Sequence, residues 1–350
     1  MDSSHRRFAG RQIRRPQPQR GRSSLIRLSS RVEFEVPIVQ APVGSAAGAD
    51  LCCAVSEAGG LGGLALTWRE PAQTGQLISE VRRRTARPFY GNFVLHFEPS
   101  GLGAALEAGL PIVTFSWGDP DPYIGMVRDA GALLGIQATS KEAAMRMLEH
   151  EPDFMIVQGI EAGGHVQSHR PLDDALAEVL AIAGKTPLFA AGGLATGADL
   201  ARVLKLGARA GIFGSRFVAS KESEAHPGYK QELTEVGADQ TALTVCFDGD
   251  WPGAMHRVLR NSTFTRWESA GCPPNGRRPG ERDVLGRTGS GVELFRYDDA
   301  MPRRDTIGDW EAMCLYAGTS INGIGSILSA ADLVQSMWAE AQIRLNIPTS

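Results

Sequence analysis

The chain has 350 residues, 43% of them hydrophobic and 21% charged, with a formal net charge of -3 and an isoelectric point near 6.2. This composition is ordinary for a globular protein with a large core, and it argues against binding to nucleic acid or to an anionic membrane surface. We find no apolar run of about 18 residues and no secretory signal pattern, so neither a transmembrane helix nor export is expected. The five scattered cysteines fit neither a disulfide framework nor a zinc site, which predicts reduced thiols in a cytoplasmic protein without a bound metal.

Residues 1–32 differ in composition from the rest of the chain. Asp2 is their one acidic residue, and the arginines up to residue 30 are Arg6, Arg7, Arg11, Arg14, Arg15, Arg20, Arg22 and Arg27. A segment with so few apolar side chains buries too little surface to order itself, which predicts a disordered tail. A basic binding arm or a transit peptide is the alternative interpretation.

From about residue 36 the sequence alternates between amphipathic helical patterns and short apolar strands. Several helical patterns end in a glycine, as at Gly59, Gly109, Gly131 and Gly207, where a left-handed cap is expected. Eight strands are predicted, at residues 37–41, 61–66, 88–94, 111–116, 132–137, 153–158, 187–191 and 210–214. Eight such units predict a (β/α)8 TIM barrel of class α/β. A doubly wound open sheet is the alternative, but the Gly-x-Gly-x-x-Gly pattern that it typically carries is missing after the first strand.

Residues 222–311 interrupt this alternation with a segment rich in Gly, Pro, Arg and Trp. We interpret this segment as an irregular and partly helical lid inserted near the C-terminus, with short helices near 228–236 and 252–260. The barrel is then expected to comprise residues 33–221 and 312–345 and to end in a helix from about 329 to 344. Trp251 and Tyr316 are candidates for closing a pocket.

The segment from Gln158 to His165 places a histidine and two glycines directly after an apolar strand. Glycine lets backbone N–H groups approach an anion closely, and histidine exchanges protons near neutral pH. Glycine turns also follow the next two strands, and in a barrel these loops commonly bind phosphate. The sequence therefore predicts an anion site formed by Gly163, Gly164, Gly192, Gly193, Gly214 and Ser215.

Polar amides end several other strands, among them Gln40, Asn92 and Gln137. Amides are costly to bury unless they are paired, either with loop backbone or with a flat heteroaromatic ring, and we favour the ring. His165 is the candidate acid or base, and His96 is a weaker candidate. His169, His226 and His256 are predicted to be surface groups.

These segments resemble the nitronate monooxygenases, formerly called 2-nitropropane dioxygenases, which are FMN-dependent barrel enzymes. The resemblance spans about residues 36–345 and rests on Gln40-Ala41-Pro42, Ala58 to Gly62, Gly91-Asn92-Phe93, Ser116-Trp117-Gly118, Gln158 to His165, Ala191-Gly192-Gly193 and Gly214 to Phe217. It implies that the glycine loops hold the FMN phosphate and that His165 is the active-site histidine. It also implies cofactor contacts from Ala41, Pro42, Val43, Asn92 and Gln137. Val43 stands where the family usually has methionine, which bears on substrate preference.

The resemblance further implies oxidative denitrification of alkyl nitronates, such as propionate 3-nitronate, with O₂ to a carbonyl compound and nitrite. Flavin enoyl reductases share the same motifs, so an FMN-dependent NAD(P)H reductase acting on a quinone or an enoyl thioester is the alternative. A non-enzymatic flavin- or phosphate-binding protein is a third interpretation. The expected partners are a small nitronate or nitroalkane and O₂, with no nucleic acid and no membrane, and a homodimer is one expected assembly.

Overall fold

The computed structural model describes residues 25–30 and 32–348. Its first element is an antiparallel hairpin of two short strands, β1 (Ile26–Arg27) and β2 (Glu33–Phe34). Ile26 and Phe34 are buried, and the Phe34 ring meets Phe189 edge-on. Folded structure thus begins within the tail that was predicted to end at residue 32, because these apolar side chains cover one end of the barrel core. Residues 1–24 of that predicted tail lie outside the described residues.

A closed ring of eight parallel strands forms the centre of the described chain. The ring strands are β3 (Ile38–Gln40), β4 (Gly62–Ala65), β5 (Phe89–Val94), β6 (Ile112–Ser116), β7 (Leu133–Ala138), β8 (Phe154–Gln158), β10 (Leu188–Ala191) and β11 (Ala210–Phe213). Neighbours in the chain are neighbours in the ring, and a parallel bridge between Val39 and Leu61 closes it. The predicted TIM barrel is confirmed, with each strand within one residue of its predicted bounds.

The barrel interior is a packed core rather than a pore. The rings of Tyr90, Phe154 and Phe189 are buried inside it. Two strand glycines make room for these rings, since a Cβ atom at Gly63 or Gly135 would lie 2.4 Å from the ring of Tyr90 or Phe154. Functional groups are therefore confined to the ends of the barrel, and in TIM barrels the active site lies where the strands end.

Helices surround the strands. They are α1 (Ala49–Glu57), α2 (Pro71–Arg84), α3 (Leu102–Glu107), α4 (Asp121–Asp129), α5 (Lys141–Leu148), α6 (Leu172–Leu180), α7 (Gly197–Leu206), α8 (Ser215–Val218) and, after the lid, α11 (Ala330–Leu345). Gly197 allows α7 and α11 to approach, because a Cβ atom there would lie 2.3 Å from the Met337 carbonyl oxygen. The C-terminal helix thus completes the outer layer, as predicted. None of the helices in the described ranges has the length and apolarity needed to cross a membrane.

The lid contains two helices and most of two small antiparallel sheets. Its helices are α9 (Pro227–Glu235) and α10 (Ser262–Ser269). One sheet consists of β12 (Thr241–Thr244), β13 (His256–Leu259) and β9 (Gly164–His165), and the other of β14 (Val284–Arg287), β15 (Glu293–Phe295) and β16 (Ile307–Gly308). Since β9 belongs to the loop after β8, the first sheet joins the lid to the end of the barrel at which the strands terminate.

The helix predicted near 252–260 is wrong, whereas the one predicted near 228–236 is confirmed by α9. Residues 256–259 form β13 instead, because hydrogen bonding to β12 on one side and β9 on the other outweighs local helical preference. The chain after the lid adds to the same sheet, since the Leu259 N–H donates to the Leu315 carbonyl (2.8 Å). Residues near 315, predicted to belong to the barrel, therefore also pack against the lid.

A buried ion pair between Asp248 and Arg278 holds the lid together. Their side chains are 6% and 3% exposed, and the second Asp248 oxygen accepts the Gly253 N–H (2.6 Å). Removing Asp248 leaves the buried Arg278 with the longer contact to Glu281 (3.9 Å) as its one remaining ion pair in the described chain, so we expect Asp248→Ala to lower the free energy of unfolding by about 3–5 kcal/mol. Urea denaturation measures this change. The exposed pair of Glu293 and Arg287 supplies the control, since Glu293→Ala should cost less than about 1 kcal/mol. Equal losses in the two variants would contradict the prediction.

Candidate active site

His165 lies at the mouth of the barrel on β9, in the loop after β8. The preceding residue, Gly164, has φ +75°, a conformation that a side chain would strain. β9 pairs with β13 of the lid, so that His165 lies opposite His256. The Val166 N–H adds a hydrogen bond to the Met255 carbonyl (2.9 Å). The position of His165 is therefore set by the barrel and by the lid together.

A series of side-chain amide groups forms hydrogen bonds that hold the same turn in place. The Gln158 side chain donates to the His165 carbonyl (3.1 Å) and accepts the Gln167 N–H (2.8 Å). The Gln167 side-chain oxygen in turn accepts a hydrogen bond from Gln137 Nε2 (3.1 Å). The amide nitrogen of Gln137 therefore helps to hold the turn that carries His165. The role of Gln137 as a cofactor contact stays a prediction.

Aromatic rings enclose the imidazole of His165. Centroid distances are 4.6 Å to Trp251, 5.6 Å to Tyr316 and 6.3 Å to Trp117. Its Nε2 atom is buried and has no hydrogen-bond partner among the described residues. Burial, and to a smaller extent the neighbouring His256, lower the pKa of His165 to about 3. At neutral pH His165 is uncharged, with one ring nitrogen available to a ligand.

His256 is fully buried, which corrects its prediction as a surface group. Its Nε2 accepts the Phe247 N–H (3.1 Å), so that nitrogen carries no proton, and its Nδ1 donates to the Ala254 carbonyl (2.8 Å). Both nitrogens are committed, and burial lowers the pKa of His256 to about 4. His256 therefore supports His165 as a neutral ring 5.7 Å away between centroids.

Glycine loops after β8, β10 and β11 converge beside this turn. The backbone N–H groups of Gly163, Gly192, Gly193 and Gly214 donate to no group within the described ranges. Such groups require an anion or water as a partner. The Ser215 hydroxyl lies with them and accepts the Gly318 N–H (2.9 Å), which leaves its own hydrogen free to be donated. The structure thus brings together the loops predicted to form an anion site.

The remaining predicted contacts lie at the ends of β3 and β5. A Cβ atom at Gly214 would lie 3.7 Å from Ala41 and 3.8 Å from Val43, so the residues after β3, Pro42 included, adjoin the glycine loops. Asn92 is buried on β5, and its side-chain oxygen accepts the Thr114 hydroxyl (2.9 Å). Its amide nitrogen lies 3.5 Å from the Ser116 hydroxyl, a weak contact that leaves a donor for a ligand.

No group of three or more His, Cys, Asp or Glu side chains in the described part of the chain is arranged to hold a metal ion. The glycine loops thus present free N–H groups beside a neutral, half-buried histidine.

A protein-family model described as nitronate monooxygenase matches residues 26–104 and 101–340. The chain belongs to the nitronate monooxygenase family. In sequence it is 30% identical over 289 residues to a nitronate monooxygenase of Pseudomonas aeruginosa, covering 69% of this chain and 81% of that one. Membership in this family implies a flavin cofactor.

Two solved structures of similar fold cover 89% of the chain each. Nitroalkane oxidase from Streptomyces ansochromogenes has a TM-score of 0.72 and 28% identity, with 97% of that chain covered. FabK from Thermotoga maritima has a TM-score of 0.74 and 26% identity, with 94% of that chain covered.

The residues present fit a flavin phosphate. The free N–H groups of the glycine loops and the Ser215 hydroxyl provide donors without a competing carboxylate hydrogen bond. The Asn92 amide nitrogen, in a weak contact, and the unpartnered His165 Nε2 are further polar atoms that could meet a ligand. The individual contacts to the cofactor stay predictions.

Sequence reasoning missed His256, Trp117 and Gly318 as parts of the site. Trp117 follows β6 in the same way as the recognised residues follow their strands, so its position in the chain was an available signal. Gly318 follows an alanine, as some glycines of the predicted loops do, and this is only a weak signal. His256 offered none, because its place beside His165 depends on strand pairing between distant segments.

The neutral histidines His165 and His256 have a consequence for stability at low pH. Their pKa values lie below the ordinary value near 6.5, so between pH 6.5 and 4 the unfolded chain binds more protons than the folded one, and stability is lost as pH falls. Each histidine contributes about 2 kcal/mol to this loss at pH 5. Asp299, whose pKa is raised to about 7 by burial and by Asp250, acts in the opposite sense.

Because these groups act in opposite senses, the contribution of one histidine is measured by comparing the pH dependence of stability between variants. We expect His256→Gln to show a smaller decrease in unfolding free energy from pH 7 to pH 5 than the unchanged protein, by about 2 kcal/mol. The exposed His169, changed to Gln, is the matched control and should leave the pH dependence as it was. Denaturant unfolding at the two pH values measures both. Parallel pH dependences in His256→Gln and the unchanged protein would show that His256 titrates normally.

Proposed function

We propose that this protein is an FMN-dependent nitronate monooxygenase, which converts alkyl nitronates and O₂ to carbonyl compounds and nitrite. The observation that carries the proposal is the buried, unpartnered Nε2 of His165 beside a set of free glycine N–H groups. Overall, two nitronate anions and one O₂ give two carbonyl compounds and two nitrite ions, which balances atoms and charge. The expected cytoplasmic location and homodimer stay predictions.

The cofactor would be held at two places on this chain. Gly163, Gly164, Gly192, Gly193, Gly214 and Ser215 would bind the phosphate of FMN, and Ala41, Pro42, Val43, Asn92 and Gln137 would border its ring. When bound, FMN would supply the redox chemistry between the nitronate and O₂. The protein supplies position, exclusion of water and hydrogen bonds.

His165 is suited to both forms of the substrate. With a proton on Nε2, the neutral ring donates a hydrogen bond to an oxygen of the anionic nitronate. With its proton on Nδ1, the same nitrogen accepts the proton that leaves the carbon next to the nitro group of a neutral nitroalkane. Trp251 covers the imidazole from the lid side, so the nitronate would be held away from bulk water.

Nitrite release tests this function. The FMN-loaded protein is mixed in air with ethyl nitronate and propionate 3-nitronate, without any nicotinamide, and nitrite and O₂ uptake are recorded. Nitrite formation from at least one of the two compounds is expected, with one O₂ consumed per two nitrite ions. Flavin-replete protein that yields no nitrite from either compound would overturn the proposal.

The alternative is an FMN-dependent NAD(P)H reductase, which the similarity to FabK from Thermotoga maritima favours. Its mark is oxidation of NADH or NADPH that depends on an added quinone or enoyl thioester. A monooxygenase of the proposed kind needs no nicotinamide. Anaerobic mixing with NADPH separates the two, because a reductase would bleach the flavin absorbance within its turnover time and the proposed enzyme would not.

A further inference from the structure

Four aromatic side chains lead from the protein surface to His165, and we call them the aromatic wall: Trp68, Phe97, Trp251 and Trp117. Trp68 is 54% exposed and meets Phe97 at 5.5 Å between centroids, and Phe97 meets Trp251 at 5.2 Å. Trp251 contacts Trp117 at 4.8 Å and His165 at 4.6 Å. Trp251 is itself 4% exposed, so the exposed apolar surface of the wall belongs to the other three rings.

Trp117 is held in the wall at a conformational cost. Its φ of +60° lies in the left-handed region, which a bulky residue rarely adopts. The next residue allows this turn, because Gly118 packs so closely on Leu95 that a Cβ atom would lie 2.6 Å from the Leu95 Cβ. Strained residues of this kind cluster at active sites and ligand clamps. Trp117 is half-buried, and its ring meets His165 edge-on at 6.3 Å between centroids.

The rings that pack against His165 in the described chain carry no positive charge at neutral pH. Its ring neighbours are Trp117, Trp251, Tyr316 and His256, and both nitrogens of His256 are committed in its neutral form. A carboxylate on the substrate would be desolvated here without a partner, which is costly. An apolar group would instead gain burial against the rings.

A positively charged residue adjoins Trp68, the outermost member of the aromatic wall, in the chain. Arg69 follows Trp68, its Nε donates to the Ala65 carbonyl (3.1 Å), and it forms no ion pair with a carboxylate in the described chain. A carboxylated substrate such as propionate 3-nitronate would need this residue. Arg69 thus provides the competing explanation that an experiment has to separate.

We propose that the preferred substrates are nitronates bearing an aromatic or bulky apolar group, which packs against Trp117 while His165 binds the nitronate end. The proposal rests on the nitronate monooxygenase activity proposed above and names its substrate class. Trp117 is then a residue that determines specificity, and propionate 3-nitronate is a poor substrate of this protein.

Nitrite release compares three nitronates on the FMN-loaded protein: phenylmethyl nitronate, ethyl nitronate and propionate 3-nitronate. The aromatic compound should have a kcat/KM at least about tenfold above the other two. Trp117→Leu should lower kcat/KM for the aromatic compound about tenfold and that for ethyl nitronate less than twofold. Trp117→Phe, which keeps a ring, should retain most of the preference. Trp338→Leu, on the outer helix α11, is the matched control.

Binding provides a readout independent of turnover. Nitrobenzene has no hydrogen on the carbon that bears the nitro group, so it binds without reacting, and quenching of tryptophan fluorescence gives its Kd. We expect a Kd about tenfold weaker in Trp117→Leu and unchanged in Trp338→Leu. Absence of nitrite from every nitronate would remove the proposed function, and the titration would still decide whether the aromatic wall binds such a group.

Two results would overturn the proposal. One is a higher kcat/KM for propionate 3-nitronate than for phenylmethyl nitronate, with that preference abolished by Arg69→Gln. The other is an equal effect of Trp117→Leu on all three nitronates together with an unchanged Kd for nitrobenzene. Either would show that Trp117 shapes the loop without contacting the substrate.

Discussion

Replacing His165 with Asn should lower kcat/KM for a neutral nitroalkane by about 10²- to 10⁴-fold, the usual contribution of a positioned general base. Asparagine can donate a hydrogen bond from a similar position but cannot accept the carbon-bound proton. Turnover of the preformed nitronate, which needs only the hydrogen bond, should therefore fall about tenfold or less. Nitrite release from nitroethane and from ethyl nitronate measures the two effects, with flavin absorbance confirming that the cofactor is retained.

The pH dependence sharpens this expectation. Because burial lowers the pKa of His165 to about 3, the free enzyme keeps this base unprotonated down to pH 5. The kcat/KM for nitroethane should stay level on the acid side from pH 7 to pH 5, whereas a histidine with an ordinary pKa would lose about 30-fold activity at pH 5. An equal loss of nitroalkane and nitronate turnover in His165→Asn would argue against a role as base.

Replacing Gly163 with Ala should weaken FMN binding at least about 100-fold. A Cβ atom there would lie 2.4 Å from the Gly318 nitrogen and 2.7 Å from the Ala317 carbonyl carbon, and backbone atoms cannot rotate away. The segment around Gly318 must shift, which breaks its hydrogen bond to the Ser215 hydroxyl and spreads the glycine loops. Fluorescence titration of the apoprotein with FMN measures the change in Kd, and circular dichroism reports whether the barrel is intact.

Gly125 is the matched control for this substitution. It lies on α4, and a Cβ atom there would meet no other atom within 4 Å. Gly125→Ala should leave the Kd for FMN unchanged and stabilise the helix by up to about 1 kcal/mol. If Gly163→Ala binds FMN as tightly as Gly125→Ala does, the glycine loops are not the phosphate site.

Local sequence patterns were sufficient for the architecture of the barrel. The strands were predictable because each is a short apolar run next to an amphipathic helix, and the alternation repeats eight times. Gly59, Gly109, Gly131 and Gly207 mark the helix ends, and all four have positive φ in the structure. The lid was not predictable in the same way, since β13 carries residues of mixed propensity and exists because it pairs with β9 and β12.

The features of the candidate site also separate into those encoded locally in the sequence and those that depend on contacts between distant segments. By itself the sequence determined the barrel, the glycine turns that follow β8, β10 and β11, and the arrival of His165 at the mouth, because each of these is encoded within a few consecutive residues. Only the tertiary structure decided that His256 is buried, that Trp117 and Trp251 enclose His165, and that Gly318 closes the cradle. These contacts join segments far apart in the chain. Their burial, and with it the neutral state of His165, arises from packing between lid and barrel that no local pattern records.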